Sequence, residues 1–265
     1  MSSILTYWHT LRYLRPVQIY GRIAFRLLRP TPELFPSPPL RTQHGHWVLP
    51  ARRCSSMLDA SHCRFLNVVQ DISPSSIWSD PDQEKLWLYH LHYFDDLNAL
   101  GAEDRAPWHR GLVSRWISEN PPCGGIGWEP YPTSLRMVNW VKWVLAGNQP
   151  DQVWLHSLAV QARWLSRRLE KHLLGNHLFA NAKALVFAGM FFDGHEAESW
   201  LENGLAILAR EVPEQILADG GHFERSPMYH AIATEDMLDL INLAATYQGA
   251  VPGHRRDFVG SWPDL

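Results

Sequence analysis

The stretch that most constrains this chain is Gly175-Asn176-His177-Leu178-Phe179-Ala180-Asn181-Ala182-Lys183-Ala184-Leu185-Val186-Phe187-Ala188-Gly189. From about His177 to Phe192 it is apolar on nearly every face at helical spacing. A helix of that kind has to be wrapped by other helices rather than lie on a surface. An amphipathic segment is expected to end just before it, at Leu173-Leu174, with Gly175 as the left-handed cap that a residue without Cβ adopts at least cost. Asn176 then reads as the N-cap of the buried helix. An Asn-His pair thus stands where unpaired backbone N–H groups and the positive end of the dipole receive anions. This mouth is read as half of an active site.

The helices that wrap it are marked by regular punctuation. Pro107 and Trp108 open one that Pro121-Pro122 closes, and Pro132 opens another that ends before Gly147. Asp151 caps a third, expected to reach Leu173, and Glu196 to Arg210 forms a further one. Ser226 and Pro227 open the last, which reaches Ala245. Short loops make neighbours antiparallel. The predicted fold is all-α: an incomplete α/α toroid of stacked antiparallel hairpins over residues 86–265. Residues 1–85 are expected to hold a helix over Thr10 to Leu28 interrupted near Pro16, a Pro-rich irregular stretch from Arg29 to Pro50, and a strand-like run from Arg64 to Val69.

With 265 residues, nearly half of them apolar, the chain can bury one large core or two modest ones. A net charge of −3 gives no reason to expect nucleic acid or an acidic membrane as partner. Cys54, Cys63 and Cys123 lack metal-ligand spacing, and an odd number of them suits a reducing compartment. Met1 to Arg15 carries no uninterrupted apolar run, so neither a signal peptide nor a membrane span is expected, which points to a cytoplasmic protein. Thirteen Trp is an unusual count. Aromatic faces stack on sugar rings, and they equally fill gaps between helices.

A second chemical stretch is Asp219-Gly220-Gly221-His222-Phe223-Glu224-Arg225-Ser226-Pro227-Met228-Tyr229-His230. With Ser226 as N-cap, Tyr229 falls at N3, where a capping box would place Glu or Gln. The helix N-terminus and Arg225 favour a phenolate there; the alternative is a Tyr packed on its ring with its hydroxyl in water. His222 and Arg225 are candidate ligand contacts. So are Glu129, Tyr131 and Arg136, where a loop enters a helix, although an internal Arg136–Glu129 pair tying that loop down competes with the binding role. His90 and His92 share a face if their run is a strand, but no third ligand is near, so no metal and no cofactor are expected.

These two stretches resemble the heparinase II/III family of polysaccharide lyases, alginate-lyase-like members included. Trp87-Leu88-Tyr89-His90-Leu91-His92-Tyr93-Phe94-Asp95-Asp96-Leu97 and Trp128-Glu129-Pro130-Tyr131-Pro132-Thr133-Ser134-Leu135-Arg136-Met137-Val138-Asn139-Trp140 are similar to further family motifs. The resemblance spans roughly Phe65 to Leu243. It implies an N-terminal toroid followed by a β-sandwich, and β-elimination on acidic, uronate-containing polysaccharide. It assigns carboxylate neutralisation to Asn176 and His177, and proton transfer to Tyr229. The family's further catalytic His, and the zinc some members carry, belong to the β-sandwich and have no counterpart before Leu265. The expectation is therefore an impaired or partner-dependent lyase, completed by a separate β-sandwich domain or chain. A non-catalytic acidic-polysaccharide-binding toroid is the alternative. A glycoside hydrolase on the same architecture, using Glu129 and Glu224, ranks third.

Overall fold

The computed structural model describes residues 8–9 and 12–265. Helix α1 (Pro16–Leu27) comes first, followed by strands β1 (His62–Phe65) and β2 (Val68–Asp71). Then come α2 (Lys85–Tyr93), α3 (Ala106–Glu119), α4 (Pro130–Leu145) and α5 (Gln152–Arg167). Helices α6 (Gly175–Phe191), α7 (His195–Gln215), α8 (Pro227–Thr246) and the short α9 (Arg256–Gly260) complete the chain. The fold is all-α, as the helical spacing predicts, with one small hairpin among the described residues. The Thr10 start expected for the first helix lies outside those residues; α1 begins at Pro16, whose fixed φ suits the first turn.

The strand-like run is that hairpin. Phe65 pairs with Val68, and Leu66 and Asn67 between them both have positive φ (52° and 63°), which matches the twist of the two strands. Its inward residues Cys63 and Phe65 join the same apolar core as the helices.

Helix α6 sits at the centre. Every residue from Leu178 to Phe191 is buried, and the helix packs along α7 while also touching α4, α5 and α8. Two glycines set how closely α6 and α7 approach. A Cβ on Gly189 would stand 2.5 Å from the Leu201 nitrogen, and one on Gly204 would stand 2.8 Å from the Ala182 oxygen.

Two local expectations are corrected. Helix α5 ends at Arg167 and does not reach Leu173. The side chain of Asn181, on α6, reaches out to accept the Glu170 N–H at 2.8 Å, which holds the segment in a turn. The His90–His92 run is helix, not strand, so the two rings diverge. His92 is buried, taking a hydrogen bond from the Trp116 indole at Nδ1 (2.9 Å) and lying 2.9 Å from the Trp78 carbonyl at Nε2. Burial, with the nearby Arg136, lowers its pKa to about 3, so the ring is neutral.

Most of the tryptophans serve the core. Trp116 packs on Trp128 (5.6 Å between centroids) and Trp140 (5.7 Å), and Trp154 bridges Trp140 and Trp143. Asp96 fastens the N-terminal segment to this core. It accepts from Arg105 Nε (2.8 Å), His109 Nε2 (2.8 Å) and the backbone of Ser56 (2.6 Å) and Met57 (3.0 Å). Burial alone would raise its pKa, but these donors outweigh burial and hold the carboxyl well below the usual range.

Two outcomes are expected. Gly189→Val should destabilise the fold by about 1–3 kcal/mol through overpacking against α7. Gly111→Ala, in open space on α3, should be neutral or stabilise by about 0.5–1 kcal/mol, both read by urea denaturation. The second outcome concerns acid. Because the folded-state pKa of Asp96 is depressed, its contribution is complete above about pH 5 and is lost as pH falls through the folded value. The Asp96→Asn variant should be less stable at neutral pH, and its melting temperature should fall less steeply on acidification.

Candidate active site

Helices α2, α4, α6 and α8 enclose an open cleft of about 520 Å³. Helical spacing explains which side chains reach it. On α6 they are Asn176, Ala180 and Lys183; on α8, Tyr229, Ile232, Asp236 and Asp239; on α4, Tyr131, Leu135, Val138 and Lys142. Asn176 and Tyr229, far apart in sequence, therefore face one space.

Asn176 lies in the first turn of α6, but Leu174 is the N-cap, with φ 61°. The expected Asn176 cap is thus displaced by two residues, while Gly175 keeps its positive φ of 55°. Among the described residues no partner holds the Asn176 amide, so its NH₂ and carbonyl are both available. His177, next to it, sets its ring 4.4 Å from that of Tyr131 and its Nδ1 3.1 Å from Glu170 Oε1. The other Glu170 oxygen accepts from Asn181 at 3.1 Å. A neutral His177 that donates Nδ1–H to Glu170 presents a lone pair at Nε2; the protonated ring presents a donor there. Tyr131, lining the cleft, has its pKa raised to about 12, first by burial and then by Asp236 and Glu170.

Tyr229 occupies N3 of α8, and the His222 ring stacks on it at 5.9 Å. Beneath it the cleft floor is ionic. Lys183 Nζ lies 2.7 Å from Asp236 Oδ1 and 2.6 Å from Asp239 Oδ2, and Lys142 Nζ lies 3.0 Å from the same Asp239 oxygen. Burial favours the neutral lysine, but Asp236 and Asp239 outweigh it and raise the pKa of Lys183. Burial likewise opposes the Asp239 anion, yet Lys183 and Lys142 lower its pKa below the ordinary value. For Asp236 burial prevails and its pKa is raised. Arg53, at the rim, pairs with Glu235 at 2.6 Å. Each cation lining the cleft is thus already matched by a carboxylate. His90 also lines it; burial, with Arg53, lowers its pKa.

Several expected contacts fall elsewhere. Arg136 is fully buried: it donates to the Gly127 carbonyl at 2.8 Å and to Gln161 at 2.9 Å, and lies 3.8 Å over the Trp116 ring. It does tie the loop down, but through carbonyls and not through Glu129. Glu129 is held by Lys85 (2.9 Å) and the Tyr89 hydroxyl, outside the cleft lining. His222 is buried behind Tyr229 and lines a separate hollow with Met237 and Trp262. Arg225 has φ 53° and is exposed, away from the cleft lining, as is Glu224. No tryptophan lines the cleft. From the sequence, Lys183 on the buried helix is expected to satisfy neighbouring backbone or to face the central cavity, and it faces the cleft; Glu170, Asp236 and Asp239 have no such expectation. The heptad-like spacing from Tyr229 to Asp236 and from Asn176 to Lys183 was the available signal.

A sequence model described as Heparinase II/III N-terminus matches residues 115–253, which include the Asn176 and Tyr229 stretches. The chain belongs to the heparinase II/III family. It is 36% identical over 227 residues to a heparin-sulfate lyase of Bacteroides stercoris, covering 71% of this chain and 32% of that protein. A heparin-sulfate lyase of Pedobacter heparinus is 35% identical over 180 residues, covering 61% of this chain and 27% of that protein. The crystal structure of heparan sulfate lyase HepC from Pedobacter heparinus superposes with a TM-score of 0.54 at 21% identity, over 77% of this chain and 36% of that one. The fold is shared, and the chain spans about a third of the length of the relatives it matches.

The ionic floor generates a prediction. Asp239→Leu leaves Lys142 without a carboxylate and Lys183 with Asp236 alone, at an expected cost of about 3–5 kcal/mol. Lys142→Met, which leaves the Lys183–Asp239 pair intact, should cost clearly less in the same chemical denaturation.

Proposed function

We propose that this chain forms the α/α wall of a polysaccharide lyase that cleaves uronate-containing polysaccharide by β-elimination. The observation that carries the reading is the single cleft shared by Asn176 and Tyr229, within a family whose relatives bear the name heparin-sulfate lyase. The C5 proton of a uronate is weakly acidic while the adjacent carboxylate keeps its charge. The Asn176 NH₂, with His177 beside it, stabilises that carboxylate as negative charge builds, which is oxyanion-hole logic applied to an acid. Tyr229 as phenolate takes the C5 proton, and the phenol so formed delivers it to the departing O4. The C5–H electrons form the C4–C5 double bond, and the C4–O4 pair departs onto the leaving oxygen. Glu170 acts as a positioning residue for His177.

We infer further that a β-sandwich surface, on a continuation of the chain or on another chain, completes the site. Residues 1–265 alone then hold acidic polysaccharide in a wet half-cleft and turn it over slowly, because water weakens each contact to the intermediate. A toroid that binds without cleaving is the second reading.

Absorbance of the unsaturated uronate product, on alginate and heparan-type polymers, tests both. Tyr229→Phe should lower turnover about 10²–10⁴-fold with little change in binding. Asn176→Ala should lower kcat/KM while the fold remains intact by circular dichroism. Binding without any product, with or without an added sandwich domain, would establish the second reading.

A further inference from the structure

Helix α1 is amphipathic with its apolar strip turned away from the protein. Its inner side is fixed: a Cβ on Gly21 would lie 3.2 Å from the Cβ of His172, and the Phe25 ring stands 4.5 Å from the His172 ring. Arg168 lies 3.6 Å over Phe25 and donates to the carbonyls of Phe25 and Leu28, each at 2.6 Å. On the opposite side Ile19, Ile23 and Leu27 are 41%, 56% and 75% exposed, and Tyr20 is 61% exposed. No residue of the helix is buried. Arg22 and Arg26 border the strip, and no carboxylate pairs with either among the described residues. With Leu14 and Gln18 they frame a shallow, almost wholly apolar groove of about 180 Å³.

Charge decides what covers this face. The chain as a whole carries −3, yet Arg12, Arg15, Arg22, Arg26 and Arg29 precede the first acidic residue, Glu33; of these, Arg15 is paired with Glu214 at 2.7 Å. We propose that the outward face of α1 docks on an anionic lipid bilayer, lying in the interface with Ile19, Ile23 and Leu27 in the acyl boundary and Arg22 and Arg26 at the headgroups. Lys and Arg stems can bury along apolar surface while their charged ends stay with phosphate. Trp8 and Tyr13, 65% and 76% exposed, are the residue types that settle at that level. The helix is too short to cross a bilayer. A second copy of this face would set arginine against arginine. A free polyanion would use the arginines and leave the isoleucines in water.

The test is co-sedimentation of the 265-residue chain with phosphatidylcholine vesicles, with and without phosphatidylglycerol. Binding should require phosphatidylglycerol and weaken with salt. The paired substitutions Arg22→Glu/Arg26→Glu and Ile19→Ser/Ile23→Ser should each reduce it on the order of tenfold. Brominated lipid should quench tryptophan emission of the unsubstituted protein, a reading that depends on no variant. Equal binding to both vesicle types overturns the proposal, as does binding that Ile19→Ser/Ile23→Ser leaves unchanged, which would mark a polyanion site. Concentration-dependent dimerisation abolished by the same pair, with no pelleting on vesicles, would assign the face to a second copy and equally overturn it.

Discussion

A helix buried along most of its length has to satisfy its buried polar groups from inside the protein, and α6 carries two of them. Asn181 and Lys183 cannot reach bulk water, so each recruits partners from a different neighbour. Asn181 takes the Glu170 N–H and donates to a Glu170 oxygen and to Ser134, which shapes the turn leading into α6 and presents Glu170 to His177. Lys183 recruits Asp236 and Asp239, which fixes the face that α8 turns inward. Tyr229 lies seven residues before Asp236, close to two helical turns, so the same pairing turns it into the cleft that Asn176 also lines. Satisfying the core and assembling the cleft are one event.

That origin explains the electrostatics. A site for an acidic polymer would ordinarily present unpaired cations, yet Lys142, Lys183 and Arg53 all face carboxylates. Their charges hold helices together and are not available to a ligand. What remains for an anion is the Asn176 amide, the His177 ring beside it and the dipole of α6. Donors of that kind suit a carboxylate whose charge shifts during reaction, because they stabilise developing charge without a strong salt bridge to the resting ion.

The sequence made this much of the structure legible because its periodicities are strong. Apolar spacing and Pro, Gly and Asp punctuation placed α3 to α8, and the Asp151 cap is seen as a hydrogen bond to the Trp154 N–H at 3.0 Å. Boundaries failed where a side chain overrode local propensity, as Asn181 does at the end of α5. The polar site was half legible. Asn176 and Tyr229 stood out at helix starts, whereas Arg136 and His222 looked like ligand contacts because a charged or titratable type in a loop-to-helix segment usually faces water. Both instead satisfy buried carbonyls or back an aromatic ring, a fate set by tertiary packing. Whole-chain charge is also a coarse measure: a net −3 averages over the run of arginines around α1.

The buried ion cluster and the two glycines press on α6 in opposite senses. Gly189 and Gly204 bring α7 to near backbone contact, a gain in packing that any side chain would forfeit. Lys183 and its partners on the other side carry a desolvation cost that well-packed apolar residues would avoid. An apolar replacement of the whole cluster would therefore keep, or raise, stability. It would also remove the ion pairs that tie the inward face of α8 to Lys142 and Lys183. Directional pairing is what the cluster supplies that apolar packing cannot. The charges at the floor of the cleft thus tie α8 to α4 and α6 on the side from which Tyr229 lines the cleft.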